Sequence, residues 1–453
     1  MARLFGTDGV RGLANRDITA DLALNVSVAA AHVLAARGEF SGHRPRAVLG
    51  RDTRVSGEFL SAAVAAGLAS AGMDVLDAGV IPTPAIAFVT GSTGADLGVV
   101  ISASHNPMPD NGIKFFARGG VKLPDAVEDE IEDRIGAAWD RPVGDQVGRI
   151  TDARHLADDY LAHLASAVTE FAGREQALAG LNVVVDGAHG AASHIGPAAL
   201  EAAGAHVTRL HCEPTGLNIN DGAGSTHMQT LQQAVVDQGA DLGIAYDGDA
   251  DRCLAVDASG ELINGDHIMG LLAVAMRASG TLYHDTLVAT VMSNLGLHHA
   301  MRREQVDIVE TAVGDRYVLE AMREGGYTLG GEQSGHIIVS RYATTGDGVL
   351  TSLLLGSLVA AGTPLSDLAA GIETLPQVLV NVGGVDRSRV HTDPELADAL
   401  TSVRAQLGDN GRVLLRASGT EPLVRVMVEA ATEDDARAYA DRLASVVTAR
   451  LAL

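Results

Sequence analysis

Cysteine and lysine are nearly absent from this chain of 453 residues. Its two cysteines, Cys212 and Cys253, cannot form a disulfide framework, so we expect a protein of the reducing cytoplasm. Its two lysines, Lys114 and Lys122, stand against 31 arginines. Arginine cannot release a proton near neutral pH, whereas a desolvated lysine can, so Lys114, just beyond a serine-containing loop, is a candidate acid/base group.

Long apolar runs and excess positive charge are also missing. No stretch approaches the roughly 18 consecutive apolar residues of a membrane helix, and the first residues lack the apolar segment of a signal peptide. The net charge of −24 disfavours non-specific binding to nucleic acid. There is no P-loop, no dinucleotide-binding glycine motif after the first strand and no Cys-x-x-Cys zinc pattern. We therefore expect a globular protein that binds neither membranes nor nucleic acid.

Apolar runs that alternate with alanine-rich stretches are typical of α/β domains. The alternation restarts twice along the chain, which predicts three related α/β units, and beyond Pro364 it changes to the pattern of a smaller α+β domain. We place the domains at residues 1–153, 154–254, 255–366 and 367–453.

Two serines, Ser102 and Ser104, follow the apolar run Val99–Ile101, which predicts a buried strand. Asn106 and Pro107 then signal a turn, because proline disfavours helix at the residue before it. Ligands of open α/β sheets bind beyond the carboxyl ends of the strands. By itself the stretch predicts either a ligand-binding loop or an ordinary exit from a strand.

Three carboxylates at alternate positions, Asp247, Asp249 and Asp251, follow another predicted strand. The small residues between them let the loop curl so that the oxygens converge, and such hard ligands suit Mg²⁺. A calcium EF-hand would need glycine and glutamate where Arg252 and Ala258 stand, which excludes that interpretation. The remaining alternative to a metal site is a solvated acidic turn.

A glycine-rich stretch near residue 332 follows a third predicted strand. Glu332 and Ser334 could contact sugar hydroxyls or an amine, although a glycine turn with a capping glutamate fits the pattern equally well.

A fourth stretch, near the C-terminus, combines hydroxyls, a glycine and guanidinium groups, which together could bind a phosphate. A β-turn with incidental arginines is the alternative. The residues are Arg416, Ser418, Gly419, Thr420 and Arg425.

Taken in order, these motifs resemble those of the α-D-phosphohexomutase superfamily, and the resemblance covers essentially the whole chain. The segments that resemble the superfamily are Phe5–Gly12, Ser104–Pro107, Asp247–Arg252, Gly331–His336, Thr345–Gly348 and Arg416–Pro422. The sequences Gly-Thr-Asp-Gly and Gly-Glu-Gln-Ser-Gly-His, with the ending Val424–Glu429, resemble the branch that acts on glucosamine phosphates.

The resemblance implies three α/β domains with mixed sheets and a C-terminal α+β domain like the TATA-binding protein, around a central cleft. It also implies interconversion of glucosamine 6-phosphate and glucosamine 1-phosphate through a phosphoserine enzyme and a 1,6-bisphosphate, on the route to UDP-N-acetylglucosamine and cell wall. A sister mutase for mannose or glucose phosphates is the nearest alternative. A non-catalytic sugar-phosphate sensor is the alternative from another class.

The family position of the phosphoserine falls on Ser104, with Ser102 as a structural neighbour. The phosphate on Ser104 would hold one Mg²⁺ per subunit together with Asp247, Asp249 and Asp251.

The remaining roles follow the same resemblance and the chemistry of the side chains. Lys114 would move the hydroxyl proton, and Arg252 and Arg11 would stabilise charge. Glu332 and Ser334 would orient the sugar. The phosphate that does not react would be held by Arg416, Ser418, Gly419, Thr420 and Arg425.

Cofactor and partners are implied in the same way. The substrate is a small phosphosugar, and glucosamine 1,6-bisphosphate or glucose 1,6-bisphosphate would serve as activator. The resemblance leaves open whether that bisphosphate or a kinase first phosphorylates Ser104, and whether the chain forms a homodimer. A mobile fourth domain would let the bisphosphate turn around between the two half-reactions without being lost.

Overall fold

Strands and helices alternate along the chain in the computed structural model, which describes residues 3–6, 8–40, 42–417 and 423–453. Two compact units make up the structure. The first comprises Met1–Met292 and Val306–Ala370, and the second Ser293–Gln305 and Gly371–Leu453. Among the described helices, none has both the length and the apolar character that crossing a bilayer requires.

The first sheet has seven strands in the order β1-β5-β4-β2-β3-β7, with β6 paired to β5. Its strands are β1 Val10–Leu13, β2 Arg46–Arg51, β3 Asp74–Val80, β4 Leu97–Ile101, β5 Asp110–Ala117, β6 Val121–Lys122 and β7 Ile150–Asp152. The helices of this region are α1 Ala20–Ala36, α2 Ser56–Ser70, α3 Thr83–Ser92 and α4 Asp125–Arg134. Strand β4 is buried along its whole length, as its uninterrupted apolar sequence requires.

The second sheet has five strands in the order β12-β11-β10-β8-β9. Its strands are β8 Asn182–Asp186, β9 His206–Leu210, β10 Leu242–Tyr246, β11 Cys253–Asp257 and β12 Leu262–Ile263. Its helices are α5 Leu156–Ala172, α6 Ala192–Ala202 and α7 Gln229–Gln238. The sequence predicts that α6 begins near Pro197, but it begins at Ala192, so this start is wrong by more than a turn. Proline favours the first turn of a helix, and here it lies inside instead.

The third sheet has four strands in the order β14-β13-β15-β16. Its strands are β13 Thr286–Thr290, β14 Asp307–Thr311, β15 Leu329–Gly331 and β16 Ile337–Val339. The helices in this part of the chain are α8 Gly265–Ala278, α9 Leu295–Arg303, α10 Asp315–Gly325, α11 Gly348–Val359 and α12 Leu365–Ala369. Helix α11 is buried almost throughout, which explains why its sequence is apolar on every side.

These three sheets share one plan. In each, one strand pairs in parallel with an earlier strand and antiparallel with the strand that follows it: β4 with β2 and β5, β10 with β8 and β11, β15 with β13 and β16. The loop between the antiparallel partners is, in turn, the serine loop, the aspartate loop and the Glu332 loop. The fold is thus multi-domain α/β, with three related sheets and a C-terminal domain.

The second unit contains an antiparallel sheet in the order β17-β19-β18. Its further elements are β17 Gln377–Gly383, α13 Pro394–Leu407, β18 Arg412–Ala417, β19 Leu423–Glu429 and α14 Glu433–Leu451. Helix α9 belongs to this unit. The fully buried Glu429 joins them, because it accepts hydrogen bonds from the backbone of Leu295 at 2.9 Å and from Arg412 Nε at 2.7 Å. The domain boundaries at 153, 254 and 366 stay a prediction.

Candidate active site

Ser104 lies three residues beyond β4 and is fully buried. Its backbone is left-handed, with φ of 51°, an uncommon conformation for a residue with a Cβ. Its Oγ donates a hydrogen bond to Asp247 Oδ2 at 2.5 Å and lies 3.2 Å from His105 Nδ1. The strained loop therefore directs this hydroxyl to the first carboxylate of the aspartate loop.

Backbone carbonyls of the serine loop are held by two side chains that the sequence analysis missed. Arg54, fully buried, donates to the carbonyl oxygens of Ser104 at 3.0 Å and Asn106 at 2.7 Å. Asn220, from the second sheet's region, donates to the same two oxygens at 2.8 and 3.0 Å. Asp52 neutralises the guanidinium, with 2.9 Å between its Oδ2 and Arg54 Nε. The loop is thus anchored from two directions.

Ser102 supports the loop from inside. Its Oγ donates to Asp52 Oδ2 at 2.7 Å and accepts from the backbone N–H of Ser104 at 2.9 Å. Both bonding directions of the hydroxyl are used, which fits a structural role.

The aspartate loop is the tip of a hairpin, because Tyr246 and Cys253 pair across β10 and β11. Carboxylate oxygens of Asp247, Asp249 and Asp251 lie within 4.8 Å of one another, and all three residues are buried. Asp249 Oδ1 and Asp251 Oδ1 are buried without a hydrogen-bond partner among the described residues. Three converging carboxylates with two such oxygens fit a hard divalent cation.

The electrostatics of the three aspartates also favour a bound cation. Burial, and then repulsion by the neighbouring carboxylates, raises the pKa of Asp247 and of Asp251. Burial also opposes ionisation of Asp249, but the Lys114 ammonium and a hydrogen bond from Thr83 Oγ1 at 2.7 Å lower its pKa. A bound cation would relieve this repulsion between the carboxylates.

A glycine lets the serine loop and the aspartate loop approach each other. A Cβ on Gly248 would lie 2.5 Å from the carbonyl oxygen of Ser104, closer than any side chain allows. The glycine within the aspartate motif is therefore required by its contact with the carbonyl oxygen of Ser104.

Lys114, on β5, lies against the triad. Its Nζ is 2.8 Å from Asp249 Oδ2, 2.8 Å from Asp8 Oδ2 and 3.8 Å from Asp251 Oδ2. Burial would lower the pKa of Lys114, but the surrounding carboxylates raise it far more. In this structure the amine is therefore a charged ammonium, in its proton-donating form.

A cavity of about 460 Å³ opens beside these groups in the first unit. Arg11 and Arg252 line it, and the Nε of each is buried without a hydrogen-bond partner among the described residues. The backbone N–H of Arg252 donates to Asp247 Oδ1 at 3.3 Å. Arg11 also forms an ion pair with Asp8, and Arg252 Nε lies 3.8 Å from Asp251 Oδ1. The two guanidinium groups could still bind a phosphate group through donors that these carboxylates leave unused.

The Glu332 loop is also a hairpin tip, closed by the pairing of Gly331 with Ile337. Glu332 lines the cavity and its Oε1 accepts from the backbone of Gly314 at 3.0 Å. Ser334 is exposed and is not among the residues that line the cavity. The structure thus brings Glu332 to the cavity and leaves Ser334 outside it.

In the second unit, Arg416 and Arg425 occupy directly paired positions on β18 and β19. Like charges opposite each other on antiparallel strands repel, so the pair favours a bound anion. Ser418, Gly419 and Thr420 lie outside the described residues.

Comparison with known proteins identifies the family. The phosphoglucomutase/phosphomannomutase family matches through its alpha/beta/alpha domains I, II and III at residues 2–140, 158–260 and 264–375, and through its C-terminal domain at 379–446. The phosphoglucosamine mutase of Acidothermus cellulolyticus is 64% identical over 99% of this chain and 96% of its own length. That of Streptomyces griseus is 61% identical over the full length of both.

Solved structures share the fold. A phosphoglucomutase/phosphomannomutase family protein of Burkholderia thailandensis matches with a TM-score of 0.79 and 24% identity, over 99% of this chain and 97% of that chain. Aspergillus fumigatus N-acetylphosphoglucosamine mutase, solved in complex with GlcNAc-6P and magnesium, matches with a TM-score of 0.66 and 19% identity, over 99% and 96%. The chain therefore belongs to the phosphoglucomutase/phosphomannomutase family, the α-D-phosphohexomutases, and groups within it with the bacterial phosphoglucosamine mutases.

Proposed function

We propose that this protein interconverts glucosamine 6-phosphate and glucosamine 1-phosphate, an isomerase reaction that supplies UDP-N-acetylglucosamine and cell-wall precursors. One observation carries the proposal: Ser104 Oγ is held 2.5 Å from Asp247 of a buried carboxylate triad. A hydroxyl beside a cation site is well placed to carry a phosphoryl group, because the cation can neutralise charge on the transferring oxygens. Relatives at 56–64% identity over essentially the whole chain bear the name phosphoglucosamine mutase.

Ser104 would carry the phosphoryl group. Transfer breaks the bond between phosphorus and Ser104 Oγ and forms a bond to the free sugar hydroxyl, which gives glucosamine 1,6-bisphosphate. In the second half-reaction Ser104 takes back the other phosphoryl group. Asp247, Asp249 and Asp251, with the phosphate on Ser104, would hold Mg²⁺, which when bound neutralises charge on the transferring group.

Lys114 would move the proton of the sugar hydroxyl. In the structure its ammonium is shared between Asp249 and Asp8 at 2.8 Å each. A cation held by Asp249 would weaken the attraction of that carboxylate for the Lys114 ammonium and so would lower the pKa of Lys114 from its raised value. Lys114 would then take the proton in one direction and return it in the other.

The remaining side chains would bind the substrate. Arg11 and Arg252 would stabilise phosphoryl charge from the cavity wall, and Glu332 would orient the amino sugar from within the cavity. Ser334, at the hairpin tip outside the cavity, would contact a part of the sugar that extends beyond it. The phosphate that does not react would be bound by Arg416, Ser418, Gly419, Thr420 and Arg425.

Activation belongs to the same proposal. Glucosamine 1,6-bisphosphate or glucose 1,6-bisphosphate would charge Ser104, with a kinase as the other source of that phosphate. The enzyme would work in the cytoplasm, and a homodimer is one assembly that it could form.

A coupled assay tests the function. Exchange on glucosamine, glucose and mannose phosphates, with and without bisphosphate, should give the highest kcat/KM for glucosamine phosphate. Ser104→Ala should abolish turnover and remove the covalent phosphate seen by mass spectrometry, whereas Ser102→Ala should keep that phosphate. A higher kcat/KM on mannose or glucose phosphate would assign the chain to the sister activity. No exchange at all in the presence of bisphosphate would favour the sensor.

A further inference from the structure

Both lysines of the chain meet on one carboxylate. Lys114 Nζ lies 2.8 Å from Asp8 Oδ2, and Lys122 Nζ lies 2.8 Å from Asp8 Oδ1. The mechanism above uses Lys114 but gives Lys122 no part. In a chain where arginine serves nearly every other cationic position, this convergence on the two oxygens of one aspartate calls for an explanation.

Lys122 also forms an ion pair with a residue in the region of the third sheet. Its Nζ also forms an ion pair with Oδ2 of Asp315, the first residue of α10, and that oxygen lies 3.6 Å from His336 Nε2. Asp8, Asp315 and His336 all line the cavity. The result is a line of alternating charges that joins the aspartate loop, the first sheet and the third sheet: Asp249, Lys114, Asp8, Lys122 and Asp315.

Removing the Lys122 ammonium from this line would destabilise the carboxylates on either side of it. Only 14% of the Lys122 side chain and 19% of the Asp8 side chain are exposed, so water screens the charges weakly. Without the Lys122 ammonium, Asp8 would keep its ion pairs with Lys114 and Arg11, whereas Asp315 would lose its ammonium partner and keep the contact with His336 at 3.6 Å. Asp8 would then turn more fully to Lys114 and Arg11, and the position of Lys114 relative to the triad would change.

We propose that Lys122 is a positioning residue for the phosphoryl-transfer site. It holds one oxygen of Asp8 so that the other meets Lys114, and through Asp315 it fixes the third-sheet wall of the cavity against the first sheet. This inference rests on the proposed function, because it assigns Lys122 a role in that reaction. Lys122 acts through Asp8 and need not touch the sugar.

Steady-state kinetics of the full-length, Mg²⁺-loaded enzyme on glucosamine 6-phosphate test the role. Lys122→Met should lower kcat by about 10- to 100-fold, since misplacement by about 1 Å can cost that much, with a smaller change in KM. Lys122→Arg, which keeps the charge, should recover at least part of the loss. Arg118→Met is the control. Arg118 lies between β5 and β6, in the same hairpin as Lys122, and its guanidinium pairs with Asp96. The kcat of this variant should stay within about twofold of wild type.

A double-mutant cycle separates positioning from general stability. If Lys122 acts through Asp8 on Lys114, Lys122→Met should cost much less in a Lys114→Arg background than in wild type. Fully additive losses, or a Lys122→Met enzyme with wild-type kcat, would overturn the inference while leaving the mutase activity intact. Should Lys122→Met not fold, Asp315→Asn replaces it; unchanged kinetics of that variant would equally overturn the inference. A wild type inert on all three sugar phosphates would overturn the proposed function first.

Discussion

The buried guanidinium of Arg54 donates a hydrogen bond to the carbonyl oxygen of Ser104 over 3.0 Å. The same group also donates to the carbonyl oxygens of the loop residues Asn106 and Pro107 and of Asp110, the first residue of β5. One side chain therefore holds the backbone around the proposed nucleophile in its left-handed conformation.

Arg54→Lys should lower kcat by about 100-fold. Lysine keeps the charge but has no planar fork, so it cannot satisfy four carbonyls at once, and a loop displaced by about 1 Å loses the transfer geometry. Steady-state kinetics with thermal unfolding measure the effect. Arg51→Lys, at the end of β2, is the control and should be near normal; a fully active Arg54→Lys enzyme would contradict the anchoring role.

Asp249→Asn should raise the Mg²⁺ concentration needed for half-maximal activity by at least about tenfold, because a charged oxygen ligand is lost. A Mg²⁺ titration of activity measures it, together with direct cation binding by calorimetry. Asp237→Asn removes an exposed carboxylate of α7 and should leave the titration unchanged. An identical titration for Asp249→Asn would refute its assignment as a ligand.

Asp347 makes the stability of the fold depend on pH. It caps α11 and accepts from the hydroxyl of Tyr160 at 2.8 Å, and burial raises its pKa to about 6. Because the folded state holds this proton more tightly than the unfolded state, stability falls as pH rises from about 4 to about 6, by about 3 kcal/mol in total.

Asp347→Asn should remove that dependence. The melting temperature of the variant relative to wild type should rise between about pH 4 and pH 6 and then level off. Asp158→Asn, at an exposed position of α5, is the control substitution. A constant difference for Asp347→Asn would contradict the raised pKa.

Arg416→Ala should raise KM for the phosphosugar by about tenfold or more, since a charge-assisted phosphate contact is lost, with a smaller effect on kcat. Kinetics on glucosamine 6-phosphate give both constants. Arg404→Ala, on the exposed side of α13, is the control. An unaltered KM would argue against a phosphate site at the Arg416–Arg425 pair.

Local chemistry could be predicted from the sequence, whereas long-range contacts could not. Strand β4 is predicted and found at Leu97–Ile101, because a short apolar run that ends in polar residues has few other structures available. Convergence of three nearby aspartates is likewise a local property of a tight loop. Arg54 gave no signal, since an Asp-Thr-Arg sequence after a strand is typical of any polar turn.

The contacts that the sequence did not predict join residues from different sheets. Asn220 and Ser104 are 116 positions apart, and Lys114 and Asp249 are 135 positions apart. Which side chains meet across such distances depends on how whole sheets pack, and no periodicity in one segment encodes it. Lys122 illustrates the limit, since no motif surrounds it and its two carboxylate partners come from distant segments.

The common plan of the three sheets has a consequence for how such a site can diversify. The proposed nucleophile, the proposed cation ligands and the proposed sugar contact lie in three different hairpin loops, each between its own pair of antiparallel strands. The 332–336 tip also contacts the aspartate hairpin, because the backbone N–H of Cys253 donates to the carbonyl oxygen of Gly335 at 3.0 Å and Arg252 forms a β-bridge with His336. If Glu332 contacts the sugar as proposed, grafting this tip from a relative of different sugar preference should change the preferred substrate, provided that the graft keeps the backbone contacts of Gly335 and His336.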